Sequence, residues 1–213
     1  IMATLIHALN IERYIKILPI KASYHVAFTG EDKFSGADVK SAVDFALQQG
    51  ADVINMSLSS DARTFAGLDQ STAHTKAVLV AAAGNDGSEV KRYPAALPNV
   101  IGVMNYKNVN DEAVLSNTSN YGFWNTYGYD LCAPGADIYS ANGVIGDSGF
   151  DYKALSGTSM AAPIVSFGAA LLAMKYKALA GNNGEEMDSV ELARLVKKAS
   201  TKVLNKTEGG KTV

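Results

Sequence analysis

Cysteine is nearly absent. Cys132 is the only one in 213 residues, which excludes an intramolecular disulfide and a multi-cysteine zinc site. Charge of one sign is absent too: 19 Lys and Arg stand against 21 Asp and Glu, for a formal net charge of -2. Binding driven by phosphate neutralisation needs a basic excess, so no nucleic-acid partner is expected. No uninterrupted apolar run approaches the ~20 residues that span a bilayer, so no membrane partner is expected. No basic segment followed by an apolar one opens the chain, and its first residue is Ile1 rather than Met. The chain therefore reads as a processed product or a piece with an upstream part missing. No repeat or low-complexity linker divides it, and its length suits a single domain over 1–213, incomplete at the N-terminus.

What is present is an alternation of short apolar runs with helix-like stretches. Residues 14–22 (YIKILPIKA) read as a strand in which Pro19 needs an edge or a bulge. Residues 23–35 are polar. Val39, Ala42, Val43, Ala46 and Leu47 recur at helical spacing, and Gly50 follows as a stop. Residues 53–58 (VINMSL) and 78–83 (VLVAAA) are compact apolar strands, and 71–77 close a second helix between them. A short strand is expected over 100–104, then surface loop with brief strands over 105–129. A long apolar helix is expected over 159–177. Val190, Leu192, Leu195 and Val196 mark a last amphipathic helix, and the polar residues 205–213 fray. Strands alternating with helices predict an α/β protein, three layers deep, with a mostly parallel central sheet flanked by helices. A run such as VLVAAA suits a sheet covered on both faces. In such sheets sites gather at the carboxyl ends of the strands, where Ser57-Leu58-Ser59 and Gly84-Asn85-Asp86 fall.

Two segments carry chemistry. In Ser156-Gly157-Thr158-Ser159-Met160-Ala161-Ala162-Pro163 a glycine turn runs into a helix with a serine at the junction. Free backbone N–H groups and the positive end of the helix dipole would stabilise an oxyanion formed beside Ser159. Pro163 fits a first helical turn, where its missing N–H costs little. On the local pattern alone, Ser156, Thr158 and Ser159 read as helix caps. In Ala81-Ala82-Ala83-Gly84-Asn85-Asp86-Gly87 an apolar strand ends in an amide-bearing turn. Asn and Gly are ordinary turn formers; the functional alternative is an Asn85 N–H donated to developing negative charge.

Together these segments resemble the subtilisin-like serine peptidases. Gly157 to Pro163 matches that family's Gly-Thr-Ser-Met-Ala-x-Pro motif in full, and Asn85 stands in its Ala-Gly-Asn context after an apolar strand. Val53 to Leu58 matches its substrate-binding strand, and Ala133-Pro134-Gly135 its Ala-Pro-Gly turn. The resemblance implies a subtilisin-like fold and a serine endopeptidase, with Ser159 as nucleophile and Asn85 with the Ser159 N–H as the oxyanion hole. It also implies that Ser57, Leu58 and Ser59 face Ala82, Ala83 and Gly84 across the pocket for the residue before the scissile bond. Ser59 stands where the family usually has glycine. Polypeptide is the implied substrate, no cofactor is required, and a secreted or cell-surface location is favoured.

The base is missing. Serine needs a neighbouring general base, and the family order is Asp, then His in a His-Gly-Thr motif, then Ser. None of His7, His25 and His74 is followed by Gly-Thr. Residues 1–6 resemble the apolar helix that follows that motif, which places the histidine just before Ile1 and the aspartate further upstream. The chain is then expected to work with its own N-terminal segment or to cover the gap with a second copy. Structural calcium is common in the family; here the nearest oxygen-rich cluster, Asn110-Asp111-Glu112, reads as a solvated turn, so no metal is assigned. The alternative to a peptidase is a non-catalytic peptide-binding or structural relative with no complete triad. An α/β-hydrolase esterase is set aside because no Gly-x-Ser-x-Gly elbow surrounds Ser159.

Overall fold

A strand that is apolar at every position must be covered on both faces, and Val78–Ala82 is buried along its whole length. The computed structural model describes residues 1–26, 28, 31–61, 68, 76–122, 128–141, 151–180 and 188–199. Their helices are α1 (Met2–Ala8), α2 (Gly36–Gln48), α3 (Thr158–Ala180) and α4 (Ser189–Lys198). The strands are β1 (Tyr24–Val26), β2 (Glu31–Lys33), β3 (Val53–Met56), β4 (Val78–Ala82), β5 (Val100–Val109), β6 (Glu112–Leu115), β7 (Leu131–Pro134), β8 (Ile138–Ala141) and β9 (Tyr152–Leu155).

Five strands form the central sheet. β3 and β4 are parallel, with Val53 opposite Val78 and Met56 opposite Ala81, and β4 and β5 are parallel in turn. Val103 pairs with both Ala82 and Leu131, and Tyr106 with both Leu115 and Pro134. β7 therefore lies along one edge of β5, parallel to it, while β4 and antiparallel β6 share the other. Alternation then builds two cores. Val78, Val80 and Ala82 pack with Ala161, Ala162 and Ala169 of α3 and with Leu192 and Val196 of α4. Leu79, Ala81 and Ala83 face the opposite way, into a cluster with Val39 and Val43 of α2. The result is the three-layer, mostly parallel α/β fold that the sequence predicts.

Local chemistry sets the helix ends. Ser35 caps α2 reciprocally: its hydroxyl accepts from the Asp38 N–H at 3.1 Å, and the Asp38 carboxylate accepts from the Ser35 N–H at 3.0 Å. Residues Thr158–Leu179 are long and apolar enough, by length and composition, to cross a membrane. In the fold the first half of this helix is packed on the sheet, with Ala161, Ala162 and Ala169 fully buried.

Two expectations are corrected. Residues 14–22 are not a strand; β1 comes just after them, in the stretch read as polar. Tyr14, Ile17 and Leu18 are about half exposed, because apolar composition does not make a strand without an edge to pair with. β5 continues past 104 to Val109, since β6 folds back on it through Asn110 and Asp111, both with positive φ. Those two residues, the core of the oxygen-rich cluster, are thus a two-residue hairpin turn. The helix expected over 71–77 falls largely outside the described residues, and the tail at 205–213 and His74 fall wholly outside them.

Candidate active site

Parallel pairing sets the carboxyl ends of β3 and β4 side by side, and each runs directly into one of the segments singled out above. Across from them α3 begins. Its second residue is Ser159, at the N-terminus of a helix whose first N–H groups have no intrahelical acceptor. The hydroxyl of Ser159 is partly exposed and donates to the Ser57 carbonyl at 3.3 Å.

Asn85 reaches the first residue of α3. Its Oδ1 accepts from the Thr158 N–H at 2.9 Å and from the Thr158 hydroxyl at 3.0 Å. With Oδ1 so occupied the amide has one orientation, and Nδ2 carries the hydrogens that remain to be donated. Gly157 permits the approach. Its φ is +148°, and a Cβ there would stand 3.3 Å from Nδ2. Thr158, fully buried, also accepts from the Gly84 N–H at 3.1 Å. One hydroxyl thus fastens the turn after β4 to the start of α3. Sequence reasoning took Thr158 for a possible cap; its place between Gly157 and Ser159 is the only signal it offered.

The proline of the motif lies deeper than expected. Pro163 is the sixth residue of α3, not part of its first turn, so its missing N–H deprives the Ser159 carbonyl of its acceptor role within the helix. The Ser57 hydroxyl replaces that bond, donating to the Ser159 carbonyl at 3.0 Å. Ser57 and Ser159 are therefore held by two opposed hydrogen bonds, and Asn55 supports the first by donating to the Ser57 hydroxyl at 3.0 Å.

Ser57, Leu58 and Ser59 follow β3, and Ala82, Ala83 and Gly84 end and follow β4. The two segments approach each other at Gly84: a Cβ there would lie 3.3 Å from the Ser59 hydroxyl and 3.2 Å from Cγ of Arg92. A groove of about 400 Å³ opens beside Ser159, lined by Ile1, Ile17, Asn55, Ser57 and Ser140 among others.

The two histidines among the described residues stand on other elements. His7 is exposed and its Nδ1 pairs with Glu12 at 2.9 Å, and His25 lies in β1. Asp86 is an anion braced by Arg92, whose Nε and Nη2 reach its two oxygens at 2.9 and 2.8 Å. With a further bond from Asn120, this lowers its pKa from 3.8 to about 2. Burial in β7 pushes the Cys132 thiol up to about 12. Among the described residues no group of three or more His, Cys, Asp or Glu is arranged to hold a metal ion.

The model of the subtilase family matches residues 13–210. A thermophilic serine proteinase of Bacillus sp. (strain AK1) is 39% identical over 158 residues, 73% of this chain and 35% of that protein. A halolysin-like extracellular serine protease of Natrialba magadii is 36% identical over 132 residues, 61% of this chain and 22% of the relative. Among solved structures, the prenylagaramide maturation protease PagA superposes with a TM-score of 0.60 at 32% identity, over 77% of this chain and 57% of its own. The chain thus spans about a third of the first of these relatives and less of the second.

Proposed function

The chain belongs to the subtilase family, and from that membership we propose that it carries the nucleophile and oxyanion hole of a serine endopeptidase. The observation that carries the reading is the Asn85 amide, fixed through Oδ1 by Thr158 so that Nδ2 is left beside the start of α3. Ser159 Oγ attacks the scissile carbonyl, and the carbonyl oxygen becomes an oxyanion. Asn85 Nδ2 and the Ser159 N–H donate to it; no described residue accepts the Ser159 N–H. A general base takes the Oγ proton on attack and returns it to the leaving nitrogen, so that collapse of the tetrahedral adduct expels the neutral amine and leaves an acyl-Ser159, which water hydrolyses to the acid and free serine. All steps are nucleophilic and acid–base, so no cofactor enters them. Polypeptide lies along the segments after β3 and β4, with Ser57, Leu58, Ser59, Ala82, Ala83 and Gly84 walling the position before the scissile bond.

The base and its aspartate come from a segment preceding Ile1. Two features support this. β3 has no second strand partner among the described residues, and an unpaired edge takes an added strand. The groove lined in part by Ser159 offers an added base room next to the hydroxyl. An exported location is proposed by likeness to the extracellular relative. The competing reading is a peptide-binding relative that performs no hydrolysis.

Labelling with a fluorophosphonate separates them. The chain alone should label slowly, because a serine without a base stays protonated. Adding a peptide that bears the upstream Asp strand and His-Gly-Thr helix should accelerate labelling, with the adduct on Ser159. Rapid labelling of the chain alone would assign the base to one of its own histidines; no labelling with the segment present would favour the binder.

A further inference from the structure

We propose that Asn120 is a positioning residue for the oxyanion donor: it holds the turn on both sides of Asn85 and so sets where the Asn85 amide stands. The inference rests on the reading of Asn85 given above.

Asn120 lies in the loop after β6 and is fully buried. Four of its hydrogen bonds go to the turn that carries Asn85, and its carbonyl accepts a further one from the Ser119 hydroxyl at 2.9 Å. Its own N–H donates to the Gly84 carbonyl at 3.0 Å. Its Nδ2 donates to the Ala83 carbonyl at 3.0 Å and to the Asp86 carboxylate at 2.8 Å. Its Oδ1 accepts from the Asp86 N–H at 2.7 Å. Residues 83, 84 and 86 are thus tied, and Asn85, between them, is exposed. An amide has two N–H donors and one acceptor oxygen. Asn120 uses all three groups, and rotating away would strand buried polar atoms.

The rest of the turn is arranged to let Asn120 act. Gly84 has φ +101°, and a Cβ on it would come within 2.4 Å of Asn120 Nδ2, so only a residue without a side chain allows the contact. Arg92 holds the far oxygen of Asp86 and is itself fixed by its N–H donating to the Tyr129 hydroxyl at 3.0 Å. The division of labour is clear: α3, through Thr158, orients the Asn85 amide, and Asn120 places its backbone. Misplacing a transition-state donor by about 1 Å can cost about 10²-fold in rate, even though Asn120 touches neither substrate nor nucleophile.

The test is a double-mutant cycle in the active peptidase, the chain together with the segment that supplies its base. Asn120→Ala, Asn85→Ala and the double variant are compared in kcat and KM on one peptide substrate, well below their melting temperatures. Asn120→Ser serves as the milder second variant should Asn120→Ala fail to fold. Asn120→Ala is expected to lower kcat about 10- to 100-fold with KM within about threefold. In the Asn85→Ala background the same change should lower kcat less than about threefold, because the donor it places is gone. An equal loss in both backgrounds, or a fall in melting temperature with kcat unchanged, would overturn the inference as a merely structural role. If Asn85→Ala alone leaves kcat unchanged, the oxyanion reading itself fails, and the inference falls with it.

Discussion

Gly84→Ala should be among the most damaging single-methyl additions in the protein. Two effects act at once. The backbone at Gly84 has φ +101°, a region closed to side chains that costs about 1–3 kcal/mol for a non-glycine residue. The new Cβ would also stand 2.4 Å from Asn120 Nδ2, closer than non-bonded contacts of a Cβ come, so one of the two must shift. Arg92 Cγ at 3.2 Å and the Ser59 hydroxyl at 3.3 Å can yield by a few tenths of an ångström, but the Asn120 amide is pinned in the core. Displacing it breaks its bonds to the Ala83 carbonyl and the Asp86 carboxylate. Buried groups left unpaired cost about 1–3 kcal/mol. The sum is about 2–6 kcal/mol, a large share of a total stability of about 5–15 kcal/mol. Urea unfolding reads it as a lower midpoint at unchanged slope. Gly168→Ala is the control. Gly168 lies inside α3 with nothing within 4 Å of a Cβ, so alanine there should be neutral or stabilise by up to about 1 kcal/mol. A loss below about 1 kcal/mol for Gly84→Ala, or equal losses for both variants, would refute the reasoning.

Three further outcomes follow from the same contacts. The Cys132 thiol, raised to about 12 by burial, should react with a thiol reagent at pH 8 only after denaturant is added; fast reaction of the folded chain would contradict its placement in β7. Asp86 has its folded pKa depressed from 3.8 to about 2, first by Arg92 and then by Asn120, so its stabilisation is present above pH 3.8 and lost as pH falls through about 2. Arg92→Ala removes the larger cause, and the acid-unfolding midpoint should move to higher pH; an unmoved midpoint would refute the ion pair. Ser57→Ala should destabilise by about 0.5–1.5 kcal/mol, and by less in a Pro163→Ala background, where residue 163 regains an N–H for the Ser159 carbonyl; equal losses in both backgrounds would mean that the Ser57 hydroxyl does not replace that bond.

The parts of this molecule that were legible in its sequence are those governed by local pattern. Val78 to Ala83 is apolar at every position and became the central strand between two cores, and the stretch after Gly157 became the long helix with Ser159 at its start. Asn85 was legible because it follows that strand directly. What was not legible depends on partners far along the chain. Residues 14–22 have a strand's composition but find no edge. Asn120 looked like loop among loop residues, and its role exists only because the fold brings it to Ala83 and Asp86, more than thirty residues away. Pro163 was misplaced for the same reason: the hydroxyl that makes it tolerable within α3 belongs to Ser57, over a hundred residues earlier.

The central claim, that Asn85 and Ser159 act on one oxyanion, is tested most directly by the kinetics of Asn85→Ala in the active peptidase. The geometry requires Nδ2 to donate to charge that exists only in the transition state. The account therefore predicts that kcat falls by about 10²–10³-fold, a range taken from another member of this family rather than worked from this structure, while KM changes by less than about threefold. A variant with unchanged kcat, or one in which the loss appears wholly as a raised KM, would contradict it.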